Sequence, residues 1–310
     1  MSDQFNLEYE ALTHGAALQL RPDAGILRLH GEDRVDFLQR MTSNDIKRLR
    51  PGQSCVTVLT SPTARVLFVF TVLCQENELW LLPARNETTS LERHLRGNIF
   101  FMDKVTVRNL SADWQRGRLM GVTLDSMLPL LGFEKGFADQ EWRAIDGFLL
   151  VRQDQYDVPG YEVLMAATQA EILLRRLADA GVITLADMDA YHVRRVELGR
   201  PTPGAELTSE YSPLEAGLAW ACAENKGCYT GQEIIARQIT YDKVTKTLVR
   251  LSSPQPLAVG ATILADGKEV GTVTSTAAEH STANALAIVK RPYNTAGNQF
   301  SVDGIAANVV

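Results

Sequence analysis

Lys226, Cys228 and Tyr229 stand together in the stretch ENKGCYTGQE, residues 224–233. A thiol becomes a nucleophile or a ligand for soft metals only as the thiolate, and a nearby lysine or a helix N-terminus favours that form. Lys226 lies two residues before Cys228, and a helix starting near Gly231 would act in the same direction. Gly227 and Gly231 let the backbone turn sharply or approach a ligand closely. Tyr229 adds a flat face with a polar tip. A tight turn around a buried, inert cysteine uses the same residues, and composition alone leaves both readings open.

A second constellation precedes it, in RRVELGRPTPGAELTSEYSPLEAGLAW (194–220). Glu197 falls near the end of a helix pattern, where the helix dipole disfavours a carboxylate. Pairing with Arg194, Arg195 or Arg200 accounts for it structurally. Functionally, a carboxylate there offers two acceptors to a planar pair of donors on a ligand. Glu206, Glu210 and Glu215 read as solvated loop acids. A cysteine hydrolase built on Cys228 would need a positioned base. The nearest histidine, His192, lies on a helix pattern with Leu185 and Met188 and reads as a core residue.

The elements that must position these groups follow from periodicity. GILRLHG (25–31) alternates as a strand and leads into EDRVDFLQRM, a helix capped by Asp33 and burying Phe37, Leu38 and Met41. Pro51-Gly52 makes a turn. SCVTVLT, RVLFVFTVL and ELWLLP read as strands, SLERHLRG (90–97) as a helix stopped by Gly97, and KVTVRNL (104–110) as a strand. Three more strands, RLMGVTL, GFLLVRQ and GYEVLMA, precede a helix over TQAEILLRRLADAG. Thr168 and Glu171 are spaced as its capping box. A further helix is expected from Thr184 to Gly199. Beyond about Tyr241 helical periodicity gives way to short strands with an Asp266-Gly267 hairpin, the texture of a small β-barrel or sandwich.

Length and composition bound the answer. A chain of 310 residues exceeds one comfortable core and implies two or three domains. Net charge is −6, which gives no global attraction to nucleic acid or anionic membrane. The polar, acidic N-terminus has no signal-peptide pattern, and RVLFVFTVL is too short to span a bilayer. Cys55, Cys74, Cys222 and Cys228 form no C-x-x-C pair, and the five histidines show no ligand spacing. These features predict a reduced, cytoplasmic protein without a metal site. No basic, aromatic-interleaved stretch suggests direct nucleic-acid binding.

KGCYTGQE, with SPLEAGLAW and RVELGRPTPGAEL before it, closely resembles the YgfZ-type folate-binding proteins, relatives of the aminomethyltransferase (T-protein) of the glycine cleavage system. GEDRVDFLQRMTSNDIKRLRPGQ, VPGYEV and DGKEVGTVTS extend the match over most of the chain. The resemblance implies an α+β fold of three domains around a central channel: two α+β, ferredoxin-like units and a C-terminal small β-barrel. Residues 1–46 and 117–240 would form the first unit, 47–116 the second and 241–310 the barrel. It implies that Glu197 binds the pterin of tetrahydrofolate, with Lys226, Tyr229 and Arg237 as further folate contacts, and that Cys228, Lys226 and Tyr229 carry the chemistry. Lys243 is another candidate for the folate tail.

The resemblance also implies a role: supporting iron–sulfur cluster assembly or repair, and through it tRNA modification, with cluster proteins or assembly factors as partners. Folate and the Cys228 thiol would share the channel. One departure bears on activity. The aspartate pair that supports one-carbon chemistry in the aminomethyltransferases aligns with Phe68-Val69, and an asparagine with the region of Ala84. An apolar pair cannot stabilise a developing iminium. Active aminomethyl transfer is therefore the alternative, not the leading reading.

Overall fold

The computed structural model describes residues 2–133, 137–145, 147–277 and 285–310. His280 lies outside them. The chain divides into two compact units, the first comprising 1–59, 68–190 and 225–229, the second 60–67, 191–224 and 230–310.

The first unit opens with α1 (Asp3–His14), β1 (Ala17–Leu20), β2 (Leu27–His30), α2 (Arg34–Met41), β3 (Ser54–Thr60), β4 (Val66–Cys74), β5 (Glu78–Pro83), α3 (Thr88–Gly97) and β6 (Thr106–Asn109). It continues with β7 (Trp114–Met120), α4 (Leu124–Met127), β8 (Trp142–Ile145), β9 (Phe148–Gln153), β10 (Gly160–Ala166), α5 (Ala170–Asp179) and β11 (Ile183–Thr184). Two sheets result. One runs β11-β1-β7-β10-β9-β8, antiparallel except for the β11–β1 pair; the other runs β3-β4-β5-β2-β6.

Each sheet covers one face with helices. Ala170, Leu173 and Leu177 of α5 repeat at helical spacing and pack on Leu119, Leu150, Tyr161 and Val163 of the first sheet. Leu91 and Leu95 of α3, one turn apart, join Phe37 and Leu38 of α2 against Leu27, Leu29, Phe70 and Val72 of the second. Truncating any of these buried leucines to alanine costs about 2–5 kcal/mol. A third cluster, Ile26, Leu73, Trp80, Leu82, Leu149, Val151 and Leu164, draws side chains from both sheets, with Trp80 edge-on to Trp114 at 4.9 Å. Strands buried on both faces explain why RVLFVFTVL and ELWLLP read as continuous apolar runs rather than alternating ones.

Three expectations change. β2 pairs with β5 and β6, so 27–46 belong with the second sheet, not the first. The α5 cap falls on Gln169 with no side-chain cap bond, so Thr168–Glu171 make no capping box. Thr184 is in a strand, its segment tied to β1 by Leu185 N–H to Leu18 O at 2.8 Å. The next helix, α6 (Asp189–Glu197), starts five residues later.

The second unit carries most of α6, then α7 (Gln232–Thr240) and six strands: β12 (Lys246–Ser252), β13 (Thr262–Ala265), β14 (Lys268–Thr276), β15 (Ala285–Lys290), β16 (Gln299–Val302) and β17 (Ile305–Val309). They close into a barrel in the order β12-β15-β14-β13-β16-β17. Asp266-Gly267 and Asp303-Gly304 both take positive φ, 49° and 75° for the first pair, which is the turn geometry that matches strand twist. The barrel interior is filled by Leu251, Ile263, Val273, Val289 and Phe300. The architecture is α+β with a closed C-terminal barrel, as the sequence implied.

Candidate functional site

The turn bearing Cys228 is anchored by its lysine. Lys226 Nζ donates to the carbonyls of Gln39 (2.8 Å), Asn44 (2.7 Å) and Thr42. Helix α2 ends at Met41, so carbonyls here lack intrahelical partners and the helix dipole is negative. An ammonium with three donors satisfies two of them, Gln39 and the C-cap Thr42, and the loop carbonyl of Asn44 just beyond. The seat is itself fixed: Ser43 N–H bonds Val58 O, and Asn44 bonds Thr57 Oγ1 and Val56 O, all on β3. The Lys226 ammonium also lies 4.9 Å from the centre of the buried Tyr229 ring. Cys228 is exposed, whereas Cys55, Cys74 and Cys222 are buried. Burial pushes the Cys55 thiol up to about 12, with the positive charge of Lys226 opposing. Among the described residues Cys228 is the accessible thiol, presented on a clamped turn.

The end of the motif belongs to the second unit. Gly231 caps α7 at φ +83°, and a Cβ there would sit 2.7 Å from Ser61 O, so both conformation and space demand glycine. Thr60 Oγ1 donates to Thr230 O at 2.6 Å. The helix expected near Gly231 is present. Arg237 lies on it, in an exposed pair with Glu233 at 2.7 Å.

Glu197 is the last residue of α6. Its side chain is only 9% exposed; Arg194 Nη1 donates to one carboxylate oxygen at 2.9 Å and Arg250 Nη1 to the main-chain carbonyl at 2.9 Å. The pairing with Arg194 considered from sequence is therefore real. The helix is fixed by a buried polar network. Arg195 donates to Glu206 Oε2 (3.0 Å) and Ser275 Oγ (2.7 Å), while Ser275 donates to Glu206 Oε1 (2.5 Å). His192 Nε2 lies 2.7 Å from Thr276 O, an acceptor, so that nitrogen carries the proton; Nδ1 then accepts from Arg195 at 3.3 Å. Both ring nitrogens are engaged, which removes His192 as a base for a cysteine hydrolase.

Glu206 and Glu215 are not solvated loop acids. Glu206 is 0% exposed, and Glu215, 4% exposed, accepts from Arg65 at 2.9 Å and Ser212 N–H at 2.8 Å. Their apolar surroundings, GAEL and PLEAGL, were the available signal. Glu210 is exposed, as read.

At the position that resembles the aminomethyltransferase aspartate pair, Val69 is buried and Phe68 packs on the second sheet's core, its ring 5.6 Å from that of His94. Just past Ala84, Arg85 Nε bonds both oxygens of Asp23 at 2.9 and 2.8 Å. Glu87, which the sequence did not single out, precedes α3. Burial lifts its carboxyl to about 7, and its Oε2 has no hydrogen-bond partner among the described atoms. Also missed was a buried cluster in which Arg116 and Arg21 contact Glu162 and Asp157 beside the wholly buried Arg118. No group of three or more potential metal-ligating side chains occurs among the described residues. No helix among them is long and apolar enough to cross a membrane.

No family model matches the chain. A chloroplastic protein of Arabidopsis thaliana, whose name assigns it provisionally to the transferases, is 29% identical over 309 residues, covering 97% of this chain and 71% of that protein. An aminomethyltransferase of Lysinibacillus sphaericus is 25% identical over 311 residues, covering 96% and 84% of the two chains. One from Nostoc is 27% identical over 286 residues, covering 86% and 74%. The crystal structure of glycine cleavage system aminomethyltransferase T from Bartonella henselae superposes with a TM-score of 0.86, covering 98% of this chain and 88% of that one at 20% identity. By sequence the chain is a homologue of the aminomethyltransferases, and it has their fold.

Proposed function

We propose that this chain binds tetrahydrofolate or a close derivative and supports iron–sulfur cluster assembly or repair, and thereby tRNA modification, through the Cys228 thiol. The observation that carries the reading is an aminomethyltransferase homologue with a buried valine and a packed phenylalanine at the position resembling the acidic pair. Folate binding and one-carbon transfer make different demands, and function follows the site rather than the fold. A pterin presents an amino group beside a ring N–H, and the Glu197 carboxylate accepts two such donors in one plane. Arg194 already donates to one of its oxygens, so a bound pterin would share the carboxylate with that guanidinium. Arg237 and Tyr229 are the proposed further folate contacts, and Lys226 acts by holding the turn. Bound folate would supply one-carbon or redox chemistry.

In this reading Cys228 makes transient contact with a sulfur, a metal or a client thiol. One exposed cysteine falls short of the usual four cluster ligands, so the chain contacts a cluster rather than keeping it. The test is complementation in cells lacking the protein. Cys228→Ala should fold and bind folate yet fail to restore iron–sulfur enzyme activity; full restoration would make the cysteine structural. The second reading, a working aminomethyltransferase, is favoured by the names of the homologues. Release of a methylene group from a methylamine-type donor to tetrahydrofolate, catalysed by the purified chain, would establish it.

A further inference from the structure

Phe100, Phe101 and Met102 are 66%, 99% and 75% exposed, three large apolar side chains in a row on the turn between α3 and β6. Other exposed apolar residues, such as Val122 and Leu130, are dispersed along the chain and need no explanation. A contiguous projecting triplet does.

The turn is built, not slack. Asp103 N–H bonds Phe100 O at 2.9 Å, and Asp103 Oδ2 accepts from Phe100 N–H at 2.8 Å and from Arg40. The Arg40 guanidinium lies over the rings of Phe37, which is buried, and Phe100, at 5.0 and 5.4 Å. Ile99 and Val105, on either side, join the second sheet's core. The apolar tip is thus held out in advance, and docking it costs little ordering entropy.

Its surroundings select the occupant. Wholly buried, each aromatic side chain would cover roughly 150–250 Å², so at the observed exposures the triplet offers on the order of 400–500 Å². That is short of the ~800 Å² per partner of a standard protein interface. A bilayer surface needs no complementary socket and accepts a convex tip. The segment 93–108 carries Arg93, Arg96, Lys104 and Arg108, all exposed, against Asp103 alone, in a chain of net charge −6. The pairs of Arg96, Lys104 and Arg108 with Glu92, Glu32 and Asp113 are largely at the surface and can exchange for lipid phosphates.

A cleft of about 620 Å³ opens beside the turn, lined by His30, Arg34 and Lys104, and also by Glu32 and Asp103, which already pair with Lys104 and Arg40. Among the described residues Arg34 donates to the carbonyls of Gly31 and Glu76, and its buried Nε has no acceptor.

We propose that this face binds an anionic bilayer surface, with Phe101 and its neighbours entering the headgroup–acyl boundary and Arg34 and Lys104 meeting headgroup phosphates. The test is flotation of the full chain with vesicles of phosphatidylcholine alone and of phosphatidylcholine with about one-third phosphatidylglycerol. Wild type should float with the anionic vesicles and lose binding in high salt. Phe101→Asp should bind at least ten-fold more weakly, and Arg34→Ala should lose the preference for anionic lipid. Because Phe101 is almost fully exposed, Phe101→Trp leaves the core intact, and its fluorescence should shift to the blue and be quenched by brominated acyl chains. Absence of flotation, equal binding to both compositions, or unchanged binding by Phe101→Asp would overturn the proposal. So would a dimer in solution that Phe101→Asp dissociates, which would give the face to a second copy.

Discussion

Replacing Lys226 with methionine keeps the length and packing of the side chain but removes its charge and three donors. Hydrogen bonds to charged groups contribute about 1.5–3 kcal/mol each. The Lys226 bonds are only partly buried, so water can re-solvate the released carbonyls, and about 1 kcal/mol per bond is the appropriate discount. Loss of the contact with the Tyr229 ring adds about 0.5–1 kcal/mol. The total, about 3–4 kcal/mol, is a large fraction of the 5–15 kcal/mol that stabilises a typical domain. With a urea slope of about 3 kcal/mol/M, the unfolding midpoint should fall by about 1 M. Three of the four tryptophans, Trp80, Trp114 and Trp142, lie in the first unit and Trp220 in the second, so tryptophan fluorescence is weighted toward unfolding of the first unit, and Trp220→Phe makes it specific. Lys226→Arg should recover only part of the loss, because a planar fork cannot point three donors at three converging carbonyls. A methionine variant within about 0.5 kcal/mol of wild type would refute the clamp and return Lys226 to the candidates for direct chemistry.

Glu87 predicts a pH dependence. Its carboxyl titrates near 7 in the folded chain against an ordinary value of 4.5, so the stability associated with its neutral form is fully present below 4.5 and is lost as pH rises through 7. That gap corresponds to at most ~3 kcal/mol, and partial contact with solvent reduces it to about 1–2 kcal/mol. Urea midpoints measured from pH 4.5 to 8 should show wild type losing this amount relative to Glu87→Gln; parallel curves would contradict the assignment. Among the four thiols, Cys228 should react with an aromatic disulfide in the native state while Cys55 stays protected up to about pH 9; rapid labelling of Cys55 would contradict its burial. Arg195→Leu leaves Glu206 as a buried charge without its cation and should cost about 3–5 kcal/mol in thermal or urea unfolding. The double variant with Glu206→Leu should recover much of it, and a single variant as stable as wild type would refute the network's role.

Local signals carried much of the fold. Leu91 and Leu95, Asp266-Gly267 and the glycine before α7 each marked their element through short-range geometry. Long-range pairing is what the sequence hid. β2 reads the same whether it joins one sheet or the other, and only its partners β5 and β6 decide. The Thr168–Glu171 spacing suited a cap, yet the chain reaches helical geometry two residues later. The site shows the same division. Gly231 was legible because positive φ is a property of a turn, whereas composition left the exposure of Cys228 open and the packing around it decides. The acceptors of Lys226 lie more than 180 residues away, and as main-chain carbonyls they leave no trace in residue type. Glu206 looked like a loop acid because its arginine is on α6 and its serine on β14.

The claim on which the account rests is that Glu197 holds a reduced pterin. Titration calorimetry of tetrahydrofolate into wild type and Glu197→Gln tests it directly, since glutamine keeps the shape and removes one charged acceptor and the negative charge. Losing charge-assisted bonds of about 1.5–3 kcal/mol should weaken binding roughly 10–100-fold, with the fold unchanged by circular dichroism. Equal affinity in the two proteins, or no binding by wild type, would contradict it.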